Sequence, residues 1–172
     1  MLKLLMINPP SLETINDTSL VICDSETAGQ AHTELFSFGC NRHIVLEKAA
    51  DILDSLLNII NSCPASSLQK IHLVMEWPNI LQISLWTSKP STGDVFTLLR
   101  NQGVGSEELK PFKTSDINDI FPWLYYGKRF DVLRKICHIA KRKVEGNFKK
   151  NITSVECHIV AGDTKKIAAS SL

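Results

Sequence analysis

Hydrophobic and polar positions in the first third of the chain predict a hairpin followed by a long helix. Residues 19–24 form a short apolar run of β type, residues 26–29 can turn the chain, and residues 31–38 alternate well enough for a second strand. Seven apolar residues then recur at helical spacing and predict an amphipathic helix that Pro64 ends. They are Leu46, Ala49, Ala50, Leu53, Leu56, Leu57 and Ile60.

The middle of the chain predicts a second hairpin and then a poorly structured stretch. Residues 71–76 and 81–86 alternate on either side of Pro78, which fits a bend and would be costly inside a strand. Asp94 is placed to cap a short helix. Residues 103–119 hold glycines, a proline and many polar side chains, and predict mostly loop.

The last third predicts a long helix and a final strand. Apolar residues from Phe130 to Val144 form a helical stripe whose outer face is basic, and residues 155–160 alternate as a strand. The order of elements predicts an α/β fold, a mixed β-sheet with packed helices. With 172 residues, 44% of them hydrophobic, the chain suits a single mixed α/β domain over 1–172. We expect a core over 19–160 and a tail over 161–172, which would lead to a membrane anchor if the natural chain is longer.

Cysteine content and hydropathy favour a cytoplasmic protein. The five cysteines are an odd number without tight spacing, and four of them lie in apolar runs, which is typical of reduced buried thiols. No apolar run approaches the roughly 20 residues that a membrane-spanning helix needs. We therefore expect a cytoplasmic domain, on its own or as the cytoplasmic part of an inner-membrane protein.

Charge is unevenly distributed although the formal net charge is only +1. Residues 1–64 carry three basic and eight acidic side chains, whereas residues 128–150 carry nine basic and two acidic ones. The second long helix exposes a basic face that suits a protein partner or an anionic membrane, unless it is simply solvated. Nucleic acid is not expected, because stacking aromatic residues are few. The basic face comprises Arg134, Lys135, Lys141 and Arg142.

One short segment, residues 24–29, resembles the first motif of DEDD exonucleases, in which two carboxylates hold a pair of metal ions. Asp24 and Glu26 would be those carboxylates, and His158 with Asp163 matches the spacing of the family's general base and last ligand. The family's middle aspartate motif is missing, and His158 is predicted in a strand where the family has a helix. A metal-dependent exonuclease is therefore the alternative hypothesis, and we expect no enzymatic activity and no catalytic residues.

Zinc sites are not predicted by the local spacing of cysteines and histidines. Cys40 and His43 form the one pair at knuckle spacing, and the adjacent pairs at 137–138 and 157–158 would point apart in a regular element. Buried thiols and partly exposed imidazoles are the expected state of these residues. We expect no metal and no cofactor.

The order of elements resembles half of an actin-like, or ribonuclease-H-like, domain. Actin-like nucleotide sites begin with a strand that ends in Asp-x-Gly, and here Glu26 stands where that glycine would be, so the resemblance implies that ATP binding is lost. Degenerate domains of this kind occur in the L-type inner-membrane platform proteins of type II secretion and type IV pilus systems, including the bundle-forming pilus, and the chain is similar to these over residues 19–160.

That resemblance implies a non-enzymatic scaffold for pilus or secretion assembly. Its expected partners are an assembly ATPase or neighbouring platform subunits, with a second copy of the chain as a further candidate. Membrane attachment would come from a segment beyond residue 172. A small immunity or effector-binding protein is another hypothesis that the uneven charge allows.

Overall fold

The computed structural model describes residues 19–36, 43–46, 51–63, 68–148 and 154–172. They form one mixed sheet with the strand order β2-β1-β3-β4-β5, in which β1 to β4 run parallel and β5 is antiparallel to β4. The strands are β1 (Ser19–Cys23), β2 (His43–Val45), β3 (Lys70–Glu76), β4 (Ser154–Ala161) and β5 (Lys166–Ser170). The predicted α/β class, a mixed sheet with packed helices, is confirmed.

Seven α-helices lie within the described residues. They are α1 (Glu26–Leu35), α2 (Ile52–Ser62), α3 (Trp77–Leu85), α4 (Thr92–Asn101), α5 (Ser106–Leu109), α6 (Ile120–Tyr126) and α7 (Phe130–Asn147). The helices predicted at Asp94 and from Phe130 are confirmed as α4 and α7. The segment predicted as loop holds α5 and two short 3-10 turns. None of the described helices is both long and apolar enough to cross a membrane.

Both predicted hairpins are wrong, because their second strands are helices. The Ser25 side chain accepts a hydrogen bond from the Ala28 backbone N–H and caps α1, which occupies most of the predicted strand 31–38. Pro78 lies in the first turn of α3, where its missing N–H costs nothing, and α3 replaces the predicted strand 81–86. The hairpin order behind the actin-like resemblance is thus replaced by strand–helix–strand connections.

The connections make a doubly wound sheet with a large core on one face. β1, α1 and β2 form one parallel crossover, and β2, α2 and β3 form the next in the opposite direction along the sheet. Alternation in β1 sends Leu20 and Ile22 into the main core under α2, α3 and α7, and Val21 and Cys23 into a smaller cluster under α1. The α1 face therefore has less apolar packing.

The predicted tail over 161–172 is wrong as a description of the C-terminus. Residues in this segment form β5, which pairs with β4 from His158 opposite Ser170 to Ala161 opposite Lys166. The Ser171 side chain, itself buried, accepts a hydrogen bond from the Cys157 backbone N–H at 2.9 Å. The folded core thus continues ten residues beyond the predicted boundary, since an edge strand of small residues gives a weak hydrophobic signal.

Candidate functional site

A cleft of about 300 Å³ lies at the carboxyl ends of β3 and β4. Ligands of doubly wound sheets bind outside this edge, in the crevice where the strand order reverses. Here the order reverses between β1 and β3, so the cleft lies one strand to the side of that point. Two carboxylate residues lie in the cleft, Glu76 at the end of β3 and Asp163 in the turn before β5. Its apolar walls come from Trp77, Pro78, Phe121, Pro122 and Tyr126.

Aromatic packing holds the walls of the cleft in place. The Trp77 indole N–H donates to the carbonyl oxygen of Ile117 at 3.2 Å, which joins the start of α3 to the turn before α6. The Trp77 and Phe121 rings lie 5.8 Å apart, and Phe121 stacks on Tyr125 at 5.7 Å. Such ring pairs add stability beyond the area that they bury. The walls are therefore preformed by contacts within the chain.

The two cleft carboxylates have different surroundings. Asp163 accepts hydrogen bonds from the Tyr126 hydroxyl and from the Thr164 backbone N–H, and the bond from Tyr126 holds the pKa of Asp163 below its usual range. The Ser25 hydroxyl donates to Glu76 at 3.4 Å. Within the described ranges, neither carboxylate forms an ion pair with a lysine or arginine. The two carboxylates therefore carry charge that no lysine or arginine of the described residues pairs with.

Asp24 lies next to the cleft and forms hydrogen bonds with the segment that carries the lining residue Glu76. One Asp24 oxygen accepts from the Glu76 backbone N–H at 2.6 Å and from the Asn79 side-chain amide at 2.9 Å. Burial raises the pKa of Asp24 even though these donors oppose the shift. Its other oxygen is buried, with no hydrogen-bond partner among the described residues. Asp24 therefore fixes the turn from β3 into α3, which carries Glu76 and Trp77.

The four residues of the exonuclease hypothesis are not brought together. Glu26 is exposed in the first turn of α1, and Asp24 is directed to the start of α3. His158 lies in β4, as predicted, but is fully buried on the sheet face that α1 covers, whereas Asp163 is exposed at the cleft. A fully buried imidazole cannot reach a substrate as a general base.

The predicted basic face does lie on one helix. Arg134, Lys135 and Arg142 are exposed on α7, and Lys141 is half-buried. The Lys135 ammonium donates to the Gln102 carbonyl at 3.1 Å, which leaves it partly engaged within the chain. The opposite stripe of α7 is buried from Leu133 to Val144, as its hydrophobic spacing predicted, whereas Phe130 is exposed.

Among the residues that the structure describes, one group of side chains could hold a metal ion: His32, His72 and His158, all buried between α1 and the sheet. The expectation of partly exposed imidazoles is therefore wrong for His158, whereas His43 and His138 are partly exposed as expected. Buried thiols are confirmed at Cys137 and Cys157, where burial raises the pKa in both cases. Cys40 lies outside the described residues.

Sequence reasoning missed the cleft because its residues come from four separate segments. Glu76 ends an alternating strand and Trp77-Pro78 opens the following helix, and a helix-starting proline after a strand was the signal available. Nothing local relates these residues to Tyr126 or Asp163, which the sheet register alone brings near. Comparison of the chain with protein-family models, with characterised proteins and with solved structures gives no match.

Proposed function

We propose that this chain is a non-enzymatic binding domain whose cleft holds a basic side chain of a protein partner. The observation that carries the proposal is the pairing of aromatic walls with two carboxylates, Glu76 and Asp163, that have no cationic partner among the described residues. A cleft of this kind complements a group that is apolar along its length and positively charged at its end.

Lysine and arginine side chains have that character. Their methylene stems pack on apolar surface while the charged end stays near water or a carboxylate. The cleft volume of about 300 Å³ is at the small end of ligand sites, which suits one long side chain better than a nucleotide. A guanidinium can also stack on Tyr126, which is 63% exposed and is held in place by Asp163.

The same electrostatics disfavours phosphate-bearing ligands. Glu76, Asp163 and the nearby Asp24 concentrate negative charge at the carboxyl edge, where a doubly wound fold that binds nucleotides would present backbone N–H groups. A protein partner with an exposed basic segment is therefore the better occupant. The acidic cleft gives the domain one charged contact surface, and the basic face of α7 supplies another of opposite sign.

Two surfaces of opposite charge on one domain support the proposal of a scaffold role in a cytoplasmic assembly. The partner in this proposal is an assembly ATPase or a neighbouring platform subunit of a pilus or secretion system. An immunity protein that neutralises a basic effector would use the cleft in the same way. The two roles differ in the partner that is captured.

The test is binding of an arginine-containing peptide and of partners from the source cell by matched charge variants. Glu76→Gln and Asp163→Asn each remove a cleft charge with little change of shape, and Asp131→Asn removes the same charge from the exposed first turn of α7. We expect the cleft variants to lose most peptide binding in calorimetry and Asp131→Asn to keep it. Equal binding by all four proteins contradicts the cleft proposal.

Two further measurements separate the roles. An assembly ATPase recovered in a pull-down with the wild type, and lost with Asp163→Asn, supports the platform role, whereas recovery of a basic toxin supports the immunity role. Incubation with single-stranded DNA and Mn²⁺ tests the enzymatic alternative. Degradation that disappears in Asp24→Ala would show that the domain is an exonuclease.

A further inference from the structure

Three imidazole rings from three different elements meet on the sheet face under α1. His32 comes from α1, His72 from β3 and His158 from β4, and each is at most 5% exposed. His72 Nδ1 lies 3.2 Å from His32 Nε2 and 3.3 Å from His158 Nε2. A carboxylate joins them, because Glu156 Oε2 lies 3.5 Å from His72 Nδ1 and 4.0 Å from His158 Nε2.

Three of these four separations are close to the edge lengths of a metal coordination tetrahedron, and the fourth, from Glu156 Oε2 to His158 Nε2, is longer at 4.0 Å. A zinc ion bound by imidazole nitrogens at about 2.0–2.1 Å holds those nitrogens about 3.3–3.4 Å apart. The two nitrogen–nitrogen distances are 3.2 and 3.3 Å, and the nearest carboxylate oxygen is 3.5 Å from the central nitrogen. The ligand atoms of all three histidines lie within 4.8 Å of one another. Small movements of the side chains would close the site around one ion.

Hydrogen bonding alone does not satisfy the cluster. A neutral imidazole nitrogen either donates one N–H or accepts through one lone pair. His72 Nδ1 faces two ring nitrogens and the Glu156 oxygen, so one hydrogen atom can serve only one of these contacts. Glu156 Oε2 is buried and has no hydrogen-bond partner within the described part of the chain. A cation at the centre would satisfy all four atoms at once.

The protonation state of the histidines is the one that a metal requires. Burial lowers the pKa of His158 to about 3 and that of His32 to about 4, and it also lowers the pKa of His72. The rings are therefore neutral at pH 7, with lone pairs available as ligands. The Ser170 hydroxyl lies 2.7 Å from His158 Nδ1, and such an outer contact fixes which nitrogen of a ligating histidine faces the ion.

We propose that His32, His72 and His158, with Glu156 as the fourth ligand, form a buried site for one divalent transition-metal ion, for which zinc is the best match. Imidazole with one carboxylate suits zinc and its neighbours in the first transition row, and does not suit calcium or magnesium. Four protein ligands fill a tetrahedral ion, so the site is structural. The ion would join α1 to β3 and β4, where apolar packing is smaller than on the opposite face.

Glu156 also forms an ion pair with Lys70, and this pair fixes which carboxylate oxygen faces the histidines. Lys70 forms an ion pair with Glu156 Oε1, so Oε2 is the oxygen that is turned to the histidines. Because Lys70 holds the carboxylate in this position from the outer side, Glu156 can bind the ion through one oxygen without losing its ion pair. Lys70 acts as a positioning residue for the fourth ligand.

The experiment uses the full chain after treatment with EDTA, kept reduced and titrated with Co²⁺ and then with Zn²⁺. We expect one Co²⁺ per chain, the visible absorption of a tetrahedral complex, no thiolate-to-cobalt charge-transfer band, and displacement by Zn²⁺. Zn²⁺ should also raise the melting temperature. The proposal would be overturned, without the need for any variant, if the wild-type protein gave no tetrahedral spectrum. It would also be overturned if the spectrum contained a thiolate-to-cobalt band.

Variants then assign the ligands. His72→Gln removes the central nitrogen and should weaken Co²⁺ binding at least about 100-fold, since loss of an outer-shell contact alone costs about 10- to 100-fold. Glu156→Gln should weaken binding less, and His138→Gln, a half-buried histidine on α7, should leave it unchanged. If Glu156→Gln bound Co²⁺ as tightly as the wild type, Glu156 would be excluded as the fourth ligand. If His72→Gln bound Co²⁺ as tightly as the wild type, the proposed site would be overturned. Peptide binding in the cleft is measured separately and need not change.

Discussion

The stability of the metal-free protein should fall steeply in mild acid, and His158 should account for a defined part of the loss. The pKa of His158 is lowered from 6.5 to about 3, first by burial and then by the neighbouring His72 and His32. Below pH 6.5 the unfolded chain therefore binds a proton that the folded chain does not. Stability is complete above the unfolded pKa and is lost as the pH falls toward the folded one.

The size of this effect follows from the distance below pH 6.5 and hardly depends on the folded value. At about pH 5, which is about 1.5 units below the unfolded pKa, protonation of His158 stabilises the unfolded chain. At 1.36 kcal/mol per unit, this lowers the free energy of unfolding by about 2 kcal/mol for His158 alone. His158 is fully buried, so no solvent screening reduces this figure. His32 and His72 shift in the same direction and make the total loss larger.

Urea unfolding of EDTA-treated protein at about pH 7.5 and about pH 5 measures the effect. The free energy of unfolding falls linearly with urea concentration, so its value in water can be extrapolated at each pH. His158→Gln should be less stable than the wild type at the higher pH but should lose about 2 kcal/mol less between the two. His138→Gln is the matched control and should retain the wild-type difference. The same pH dependence in wild type and His158→Gln would refute the reasoning that His158 is buried in its neutral form.

Three other changes test the packing, capping and close backbone contacts of the fold, each by urea unfolding. Leu56→Ala on α2 should cost about 2–5 kcal/mol, because the side chain is fully buried and leaves a cavity; a loss near zero would mean that this face is loosely packed. Ser91→Ala should cost about 1 kcal/mol by removing the capping box with Asp94 at the start of α4, and a loss as large as that of Leu56→Ala would contradict a purely local role. Gly127→Ala should cost about 1–3 kcal/mol, because the new Cβ would lie 2.6 Å from the Trp123 carbonyl oxygen, and unchanged stability would show that α6 can shift freely.

The α/β class and the helix from Phe130 could be predicted because their patterns are strong over many residues. The helix predicted from Leu46 is confirmed only in part, because α2 begins at Ile52. The predicted stripe is buried from Leu133 to Val144, although Phe130 at its start is exposed. The alternation in residues 71–76 and 155–160 corresponds to β3 and β4. The hairpins could not be predicted correctly, because short apolar runs fit a strand and a buried helix equally well. In the segment predicted as a strand over residues 31–38, the structure has helix α1, which the Ser25 side chain caps at its N-terminus.

The residues of the candidate sites come together through the pairing register of the β-strands, which no local sequence pattern predicts. His72 and His158 are 86 residues apart and meet because β3 and β4 pair in parallel, with His72 opposite Glu156 and Val74 opposite His158. His32 is added from a helix that was predicted as a strand. Zinc motifs read from sequence rely on ligands two to four residues apart, so a site with one ligand per element gives no such signal.

The polar side chains of β3 and β4 are unusual for their position in the sheet. Central strands of parallel sheets are buried on both faces and are usually apolar throughout. The α1 face here instead carries His72 opposite Glu156, and His158 opposite Val74 in the next pair on the same face. Buried polar groups cost free energy unless each finds a partner, and Glu156 Oε2 has none to accept from in the described residues. Apolar residues at these positions would pack against α1 without that cost. The proposed metal ion would offset this cost and would add a link between α1 and the sheet on the face that has less apolar packing.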